Sequence, residues 1–400
     1  MTAFDIAIIG AGPAGLSVAL CLAGSGLSVA LVERAPEASL ADPAFDGREI
    51  ALTHRSQALL KQLGAWDHIP AAEVSPLREA AVLDGASPFA LRFTPEGVGK
   101  QTPSVAETGG DPLGALVPNH LIRRALFQAL AASGGATLVA GTAVAGLETS
   151  PRGARLALSD GRRIAARLVV AADTRFSEAR RRMGIGATLR DFGKTMLVAR
   201  LAHDRRITAC PRNWFRHGQT SPCCRSTAGL LGRHHPARCG DRGAARAAGR
   251  RIRAARSPAA TETGWAPCAW SPPATPIRCR DLCAAFPWAR ASRWPAMRRW
   301  GCIGHRAWLQ PGPRRRGPPR AGHPRRRARG RDPADPGALL AYERGHRLAT
   351  WPLFAATNAI AGLYTDDRAP ARLLRAAVLR AGAALGPARR LVTRELMQPA

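Results

Sequence analysis

The segment Gly10-Ala11-Gly12-Pro13-Ala14-Gly15 limits the possible folds of this chain more than any other. An apolar run, Phe4 to Ile9, precedes it, and a small-residue run, Ala14 to Ala23, follows. A second apolar run, Leu27 to Val32, comes next and is closed by Glu33 and Arg34. Strand, glycine turn, helix, strand and acid therefore fall in order within ~30 residues, the context a GxGxxG segment needs before it carries meaning. Gly10 lets the chain turn tightly off the strand. Gly12 has no Cβ, so the backbone can approach a pyrophosphate. Gly15 lets the helix pack closely on the sheet. Pro13 and Ala14 in the loop, and Arg34 beside Glu33, are cofactor-binding candidates with these glycines. The helix N-terminus then offers unpaired N–H groups to phosphate oxygens. Glu33 stands where a carboxylate takes a ribose hydroxyl, which favours FAD or NAD over a 2′-phosphorylated dinucleotide.

The flanking sequence reads as α/β. Ser56 to Leu63 and His120 to Ala132 have helical periodicity. Leu138 to Val144, Ala154 to Leu158 and Arg167 to Ala172 read as strands, with Ser159-Asp160-Gly161-Arg162 as a hairpin turn. Near the C-terminus, Ala338 to His346 and Thr350 to Leu363 read as two helices, followed by basic amphipathic helices over Ala371 to Leu385 and Pro387 to Met397.

The middle of the chain reads otherwise. The net charge is +31 with 59 Lys+Arg. Roughly 24 Arg against about three acids fall between Ser221 and Gly330, about two-thirds of that charge. Val, Lys, Tyr and Asn are absent from this window, while most of the nine Cys and nine Trp lie in it. Pro, Gly and Arg interrupt every apolar run, which predicts a disordered or poorly folded segment. A polycation of this kind binds nucleic acid electrostatically and without sequence preference, so no specific nucleic-acid partner is expected. Cys279, Cys283, Cys302, His305, His234 and His235 match no zinc-site spacing, and no metal is expected. The start of the sequence has no secretory leader and the Cys form no disulfide framework, so the expected compartment is the cytoplasm.

Three further segments carry a resemblance. They are Asp46-Gly-Arg48-Glu-Ile-Ala-Leu-Thr-His-Arg-Ser56, Val117-Pro-Asn119-His-Leu-Ile-Arg123 and Val169-Val-Ala-Ala-Asp173-Thr-Arg-Phe-Ser177. With the glycine loop they resemble class A flavin monooxygenases of the ubiquinone-biosynthesis hydroxylase family, nearest the UbiM-like, 5-demethoxyubiquinol hydroxylase branch. Tyr342-Glu-Arg344 and Leu348 to Tyr364 are similar to that family's C-terminal helices. The resemblance implies a Rossmann-like FAD-binding domain of the para-hydroxybenzoate hydroxylase type with a β-sheet substrate domain. It divides the chain into 1–74 and 116–190 for FAD, 75–115 and 191–220 for substrate, 221–331 as the Arg/Pro-rich segment, and 332–400 as C-terminal helices. It implies FAD as cofactor, NAD(P)H as electron donor and a membrane-borne quinol as substrate. Peripheral association with the membrane and a ubiquinone-biosynthesis complex follow as further expectations. The roles carried over are Gly10, Gly12 and Gly15 on the pyrophosphate and Glu33 on the adenosine ribose. Arg48 falls beside the flavin, and Asn119 or Arg123 at a flavin-contacting helix start. Asp173 matches the acid of an Asp-Gly motif, although Thr174 stands where the glycine is usual. No Ser/His/Asp set or carboxylate pair is found, and no residue is assigned a catalytic role.

The family's third motif, Gly-Asp, then His-Pro, then Gly-x-Gly-x-Asn-x-Gly, is missing. Its place near residues 295–315 is held by Trp300-Gly-Cys-Ile-Gly-His-Arg-Ala-Trp-Leu-Gln-Pro-Gly312. Trp308 to Gly312 can be encoded so that a one-base shift reads Gly-Phe-Asn-Leu-Gly. Ser221 to Ala228 can be encoded so that a two-base shift reads Ala-Leu-Leu-Pro-Leu-Asn-Gly. Residues ~221–330 are therefore read as an out-of-frame translation, with activity impaired in this chain. Two rival readings remain: another FAD- or NAD-dependent oxidoreductase on the same N-terminal loop, and a basic nucleic-acid-binding protein built on the Arg-rich window.

Overall fold

The computed structural model describes residues 1–84, 90–95, 111–150, 153–174, 176–203, 212–216, 219–223, 227–233, 268–270, 275–283, 332–365 and 368–384. The chain opens with β1 (Thr2–Ile9), α1 (Pro13–Leu22), β2 (Val29–Val32), α2 (Glu37–Ala41), β3 (Glu49–Leu52) and α3 (His54–Gln62). Three short strands follow, β4 (Ser75–Leu77), β5 (Ala80–Asp84) and β6 (Ala90–Phe93), then β7 (Gly114–Pro118) and α4 (Asn119–Ser133). The next stretch holds β8 (Thr137–Val139), β9 (Val144–Ser150), β10 (Gly153–Leu158), β11 (Arg163–Ala171) and α5 (Glu178–Arg182).

These elements build a six-stranded sheet in the order β8-β2-β1-β11-β10-β9. The first four strands are parallel and the last two antiparallel. The burial pattern explains the mixture. Ile6, Ala7, Ile8 and Ile9 of β1 are all buried, as a strand covered on both faces requires, and so are the four residues of β2. β10 instead alternates, with Ala154, Leu156 and Leu158 buried and Arg155 and Ala157 exposed, the mark of a sheet with one wet face. The two faces feed two cores. Ile8, Leu16, Leu31, Leu60, Ile122 and Leu126 lie in one, between the sheet and α1, α3 and α4. Ala7, Val32, Leu156, Ile164 and Val169 lie in the other.

A small sheet, β3-β7-β4, lies beside this unit. A third sheet is made from β12 (Thr188–His203), β13 (Arg212–Arg216), β14 (Gln219–Cys223), β15 (Thr227–Arg233), β16 (Cys268–Trp270) and β17 (Thr275–Cys283), joined through β13 to β5 and β6. The C-terminal part forms α6 (Pro336–Thr365) and α7 (Ala369–Ala384).

Two expectations are corrected. Leu138 to Val144 is not one strand. Gly141 adopts φ +74°, a conformation costly for other residues. The chain there splits into β8, which extends the parallel side, and β9, which closes the antiparallel edge. The two helices expected around residue 348 are one 30-residue helix. Pro352 removes one backbone donor, and nothing in Arg347–Ala349 ends the helix before it. Within the Arg-rich window the described residues include β15, β16 and β17, which pair antiparallel with β12. Strand pairing engages the backbone, which every residue but proline carries complete, so a Val-free segment can still join a ladder. The rest of that window, the place of the third motif, and Pro387 to Met397 lie outside the described residues.

Candidate functional site

The parallel strands deliver their loops to one edge. β1 ends at Ile9, β2 at Val32 and β11 at Ala171, and the candidate residues Gly10, Glu33 and Asp173 follow at once. In an open α/β sheet, ligands bind at this carboxyl edge. The loop is fastened from both sides. Gly10 N–H donates to the Val32 carbonyl at 2.7 Å and Ala172 N–H to the Ile9 carbonyl at 2.8 Å.

The three glycines are needed for different reasons. Gly10 has φ +102°, and a Cβ there would lie 2.6 Å from the Ala172 oxygen and 2.7 Å from Asp173 Cα. At Gly15 a Cβ would lie 1.8 Å from the Gly10 carbonyl oxygen. At Gly12 a Cβ would meet nothing within 4 Å. Gly12 is thus bare on a side where the fold does not need it bare. It is also the N-cap of α1, with Pro13 and Ala14 next, and no side chain caps the helix. The first turn therefore directs its N–H groups and positive dipole end outward, which suits a phosphate.

Glu33 ties the site together. Its Oε2 accepts the Ala11 N–H at 2.6 Å and its Oε1 the Ala35 N–H at 2.9 Å. Each oxygen keeps lone-pair capacity for a hydroxyl donor. The backbone of Glu33 is fixed as well, with its N–H on the Val139 carbonyl and its carbonyl taking the Thr142 N–H. Arg34, the adjacent expectation, is exposed and makes no hydrogen bond or ion pair with a described residue. Asp173 Oδ2 accepts the Ala179 N–H at 3.2 Å in the first turn of α5, so the side chain does cap that helix. Its Oδ1 is buried and has no partner among the described residues.

A second group forms around the small sheet. Arg48 precedes β3 and Asn119 follows β7, and the antiparallel pairing of Glu49 with Pro118 sets them side by side, with the Asn119 N–H on the Arg48 carbonyl at 2.9 Å. Asp46 joins their side chains. Its Oδ2 accepts Arg48 Nε at 2.8 Å and Asn119 Nδ2 at 2.6 Å, and it pairs with Arg48 Nη2. Burial alone would raise the Asp46 carboxyl, but the Arg48 hydrogen bond and charge, with the Asn119 amide, outweigh it and hold the group below the usual carboxylate range. Arg123 lies one turn along α4, half-buried, without a hydrogen bond or ion pair to a described residue. His54 Nε2–H donates to the Pro112 carbonyl at 2.7 Å and anchors the segment that leads into β7.

The geometry thus sorts the candidates into two groups. Gly10, Gly12, Gly15, Glu33 and Asp173 meet at the carboxyl edge, while Arg48 and Asn119 meet through Asp46. Helix α4 packs against α1, so both groups stand on one core. The Asp46 link escaped sequence reasoning, although the short Asp-Gly-Arg spacing was visible. The Asp46-Gly47 pair marks a bend, with Gly47 at φ +71°, but nothing local says that the bent carboxylate also meets Asn119, 73 residues on. With its bare Gly12 face, uncapped helix and Glu33 carboxylate, the glycine edge fits an adenine dinucleotide. Among the described residues no cluster of three His, Cys, Asp or Glu gathers at metal-binding range, and no helix is long and apolar enough to cross a membrane.

Comparison with known proteins agrees with this geometry. The chain is 42% identical over 219 residues to the ubiquinone hydroxylase UbiM of Neisseria meningitidis, which covers 54% of this chain and 46% of that protein. It is 35% identical over 212 residues to the ubiquinone hydroxylase UbiL of Rhodospirillum rubrum, covering 53% and 46%. To the 3-demethoxyubiquinol 3-hydroxylase of Escherichia coli it is 31% identical over 195 residues, covering 48% and 47%. The chain spans about half the length of the curated relatives it matches. Among solved structures, the p-nitrophenol 4-monooxygenase PnpA of Pseudomonas putida superposes with a TM-score of 0.54 at 14% identity, covering 71% of this chain and 70% of that one. The flavin-dependent monooxygenase PieE, solved with FAD and substrate, gives 0.53 at 19%, covering 70% and 50%. These two likenesses establish the fold. Residues 3–214, over half of the chain, match the model of the FAD-binding domain family, and the chain belongs to that family.

Proposed function

We propose that this protein is an FAD-dependent monooxygenase that hydroxylates the aromatic ring of a ubiquinone precursor of the demethoxyubiquinol type, with NAD(P)H and O2 as co-substrates. The observation that carries this reading is the glycine edge, with its bare Gly12 face and Glu33 carboxylate, in a chain 42% identical over 219 residues to a ubiquinone hydroxylase. Bound FAD would supply the redox chemistry, with two electrons from NAD(P)H, one oxygen atom of O2 going to the ring and the other leaving as water. The protein binds and orients. Gly10 and Gly15 hold the loop shut against the sheet, Gly12 and Ala14 admit the pyrophosphate, and Glu33 takes the adenosine ribose. Arg48, Asn119 and Arg123 face the flavin end, and Asp173 borders the pyrophosphate and the nicotinamide donor. Residues 75–115 and the sheet from 191 onward form the substrate lobe, which keeps water from the reacting ring.

The same reading holds that this copy is impaired. The motif that would cup the ribityl chain is absent from 295–315, and Trp308–Gly312 can be encoded so that a one-base shift reads Gly-Phe-Asn-Leu-Gly, which supports an out-of-frame segment. Association with a membrane surface is supported by the exposed Leu348, Trp351, Leu373, Leu374 and Val378 on α6 and α7, beside Arg344, Arg368 and Arg380. A polyprenyl quinol resides in that surface, and a biosynthetic complex would gather there.

The test is the absorption spectrum of the purified chain after incubation with excess FAD and desalting, alongside NADH oxidation with a demethoxyquinol. Weak or absent flavin retention, recovered with ring hydroxylation when the gene is frame-restored, is the expected result. Strong retention by the chain as it stands would refute the impairment. A frame-restored chain without flavin would refute the function.

A further inference from the structure

The group around Asp46 dictates which way an amide must face. Asp46 Oδ1 accepts the Arg48 backbone N–H at 3.2 Å. Asp46 Oδ2 accepts Arg48 Nε and Asn119 Nδ2, and the Asn119 N–H returns to the Arg48 carbonyl. The circuit is closed, and an ionised carboxylate in it can only accept. Asn119 therefore has one choice. Its NH2 must face Asp46, and its Oδ1 must face away. Asn119 is 2% exposed, and that Oδ1 is buried with no hydrogen-bond partner. Folded proteins rarely leave a buried amide oxygen unmet, because its lost hydration is then uncompensated.

We propose that Asp46 is a positioning residue, which fixes the Asn119 amide so that Oδ1 stands as the acceptor for a donor group, a hydroxyl or ring N–H, on the flavin-side half of the bound cofactor. The inference rests on the FAD reading above. The half is chosen by separation of tasks. The glycine edge and Glu33 already serve phosphate and ribose. The Asp46 group belongs to a different sheet and offers what phosphate does not want, a bare acceptor oxygen. Arg48 is held by the same carboxylate, so one group sets the direction of two contacts.

The experiment titrates the full-length, frame-restored chain, taken as wild type, with FAD and, separately, with ADP, which lacks the flavin half. Wild type, Asp46→Asn, Asp46→Glu and Asn119→Leu are compared, with the thermal midpoint of each recorded. An Asn at 46 can show the partner amide either face, and Leu at 119 keeps volume without an acceptor. Both variants should weaken FAD about tenfold, on the order expected for one buried hydrogen bond, and leave ADP within about twofold. Asp46→Glu, which keeps the carboxylate, should recover part of the FAD preference. A purely structural role would weaken both ligands together, in step with the thermal midpoint, and would overturn the proposal. Unchanged FAD affinity, or a wild type that holds FAD no better than ADP, overturns it as well. A frame-restored chain that binds neither ligand refutes the FAD reading itself and removes the donor that Asn119 is proposed to meet.

Discussion

Placing one methyl group at Gly15 or at Gly12 should give opposite results, although the two glycines are three residues apart. At Gly15 the added Cβ would lie 1.8 Å from the Gly10 oxygen, 3.0 Å from the Gly10 carbon and 3.4 Å from Ile8 Cγ2. Gly10 cannot retreat, since its own missing Cβ already faces Ala172 and Asp173 at 2.6–2.7 Å. Two backbones must part, and overpacking of this kind costs about 1–3 kcal/mol. Alanine's helix preference over glycine returns roughly 0.8–1.0 kcal/mol in a helix interior and less in a first turn. Gly15→Ala should thus be destabilising by about 2 kcal/mol, a fall in melting midpoint of roughly 4–8 °C for a unit of 150–250 residues. At Gly12 the backbone is extended, φ −71° and ψ 176°, and the Cβ meets nothing. Gly12→Ala should therefore hold or raise stability, by about 0.4–1 kcal/mol through the unfolded chain. The methyl would instead occupy the approach to the helix N-terminus and weaken FAD by about tenfold or more. Thermal unfolding followed by circular dichroism, paired with FAD titration, reads both effects. A Gly12→Ala protein that binds FAD as wild type does, or a Gly15→Ala protein as stable as wild type, would refute the assignment of the two glycines.

Other substitutions probe the same frame. Glu33→Gln has one acceptor oxygen where the structure uses two, so Ala11 or Ala35 N–H loses its partner. A destabilisation of about 1–3 kcal/mol in denaturant titration is expected, and an unchanged midpoint would argue against the clasp. Leu156→Ala removes a fully buried side chain from the second core and should cost about 2–5 kcal/mol, and a loss under ~1 would mean that core is loosely packed. Asp46 and Asp5 are both held below the usual carboxylate range, Asp5 by the Ser28 backbone N–H first and its hydroxyl second. Their folded values lie below the unfolded value of about 3.9, so what they contribute is complete above that pH and fades as pH falls through the folded values. Urea midpoints followed from pH 7 to 3 should fall less steeply in Asp46→Asn than in wild type, and parallel curves would contradict the Asp46 circuit.

How far the sequence could be read depended on whether the cause was local. The glycine loop was legible because each of its residues answers a demand made within ~30 residues, and Glu33 falls where the second strand must end. The hairpin at Ser159–Arg162 was legible for the same reason, since Gly161 at φ +88° closes it with the Leu158 N–H on the Arg162 carbonyl. The split between β8 and β9 was not legible. Periodicity sees one apolar run, and only the demand for partners on opposite sides of the sheet divides it at Gly141. The single helix through Pro352 was hidden similarly, because a proline reads as a start when its surroundings are unknown.

The sequence by itself determined the chemistry of the dinucleotide edge, since turn, dipole and acid are properties of consecutive residues. The tertiary structure alone decided that Asp46, Arg48 and Asn119, spread over 73 residues, form one circuit. Hydrogen bonds between distant segments depend on the pairing of β3 with β7, and that pairing exists only once the core has placed the two strands side by side.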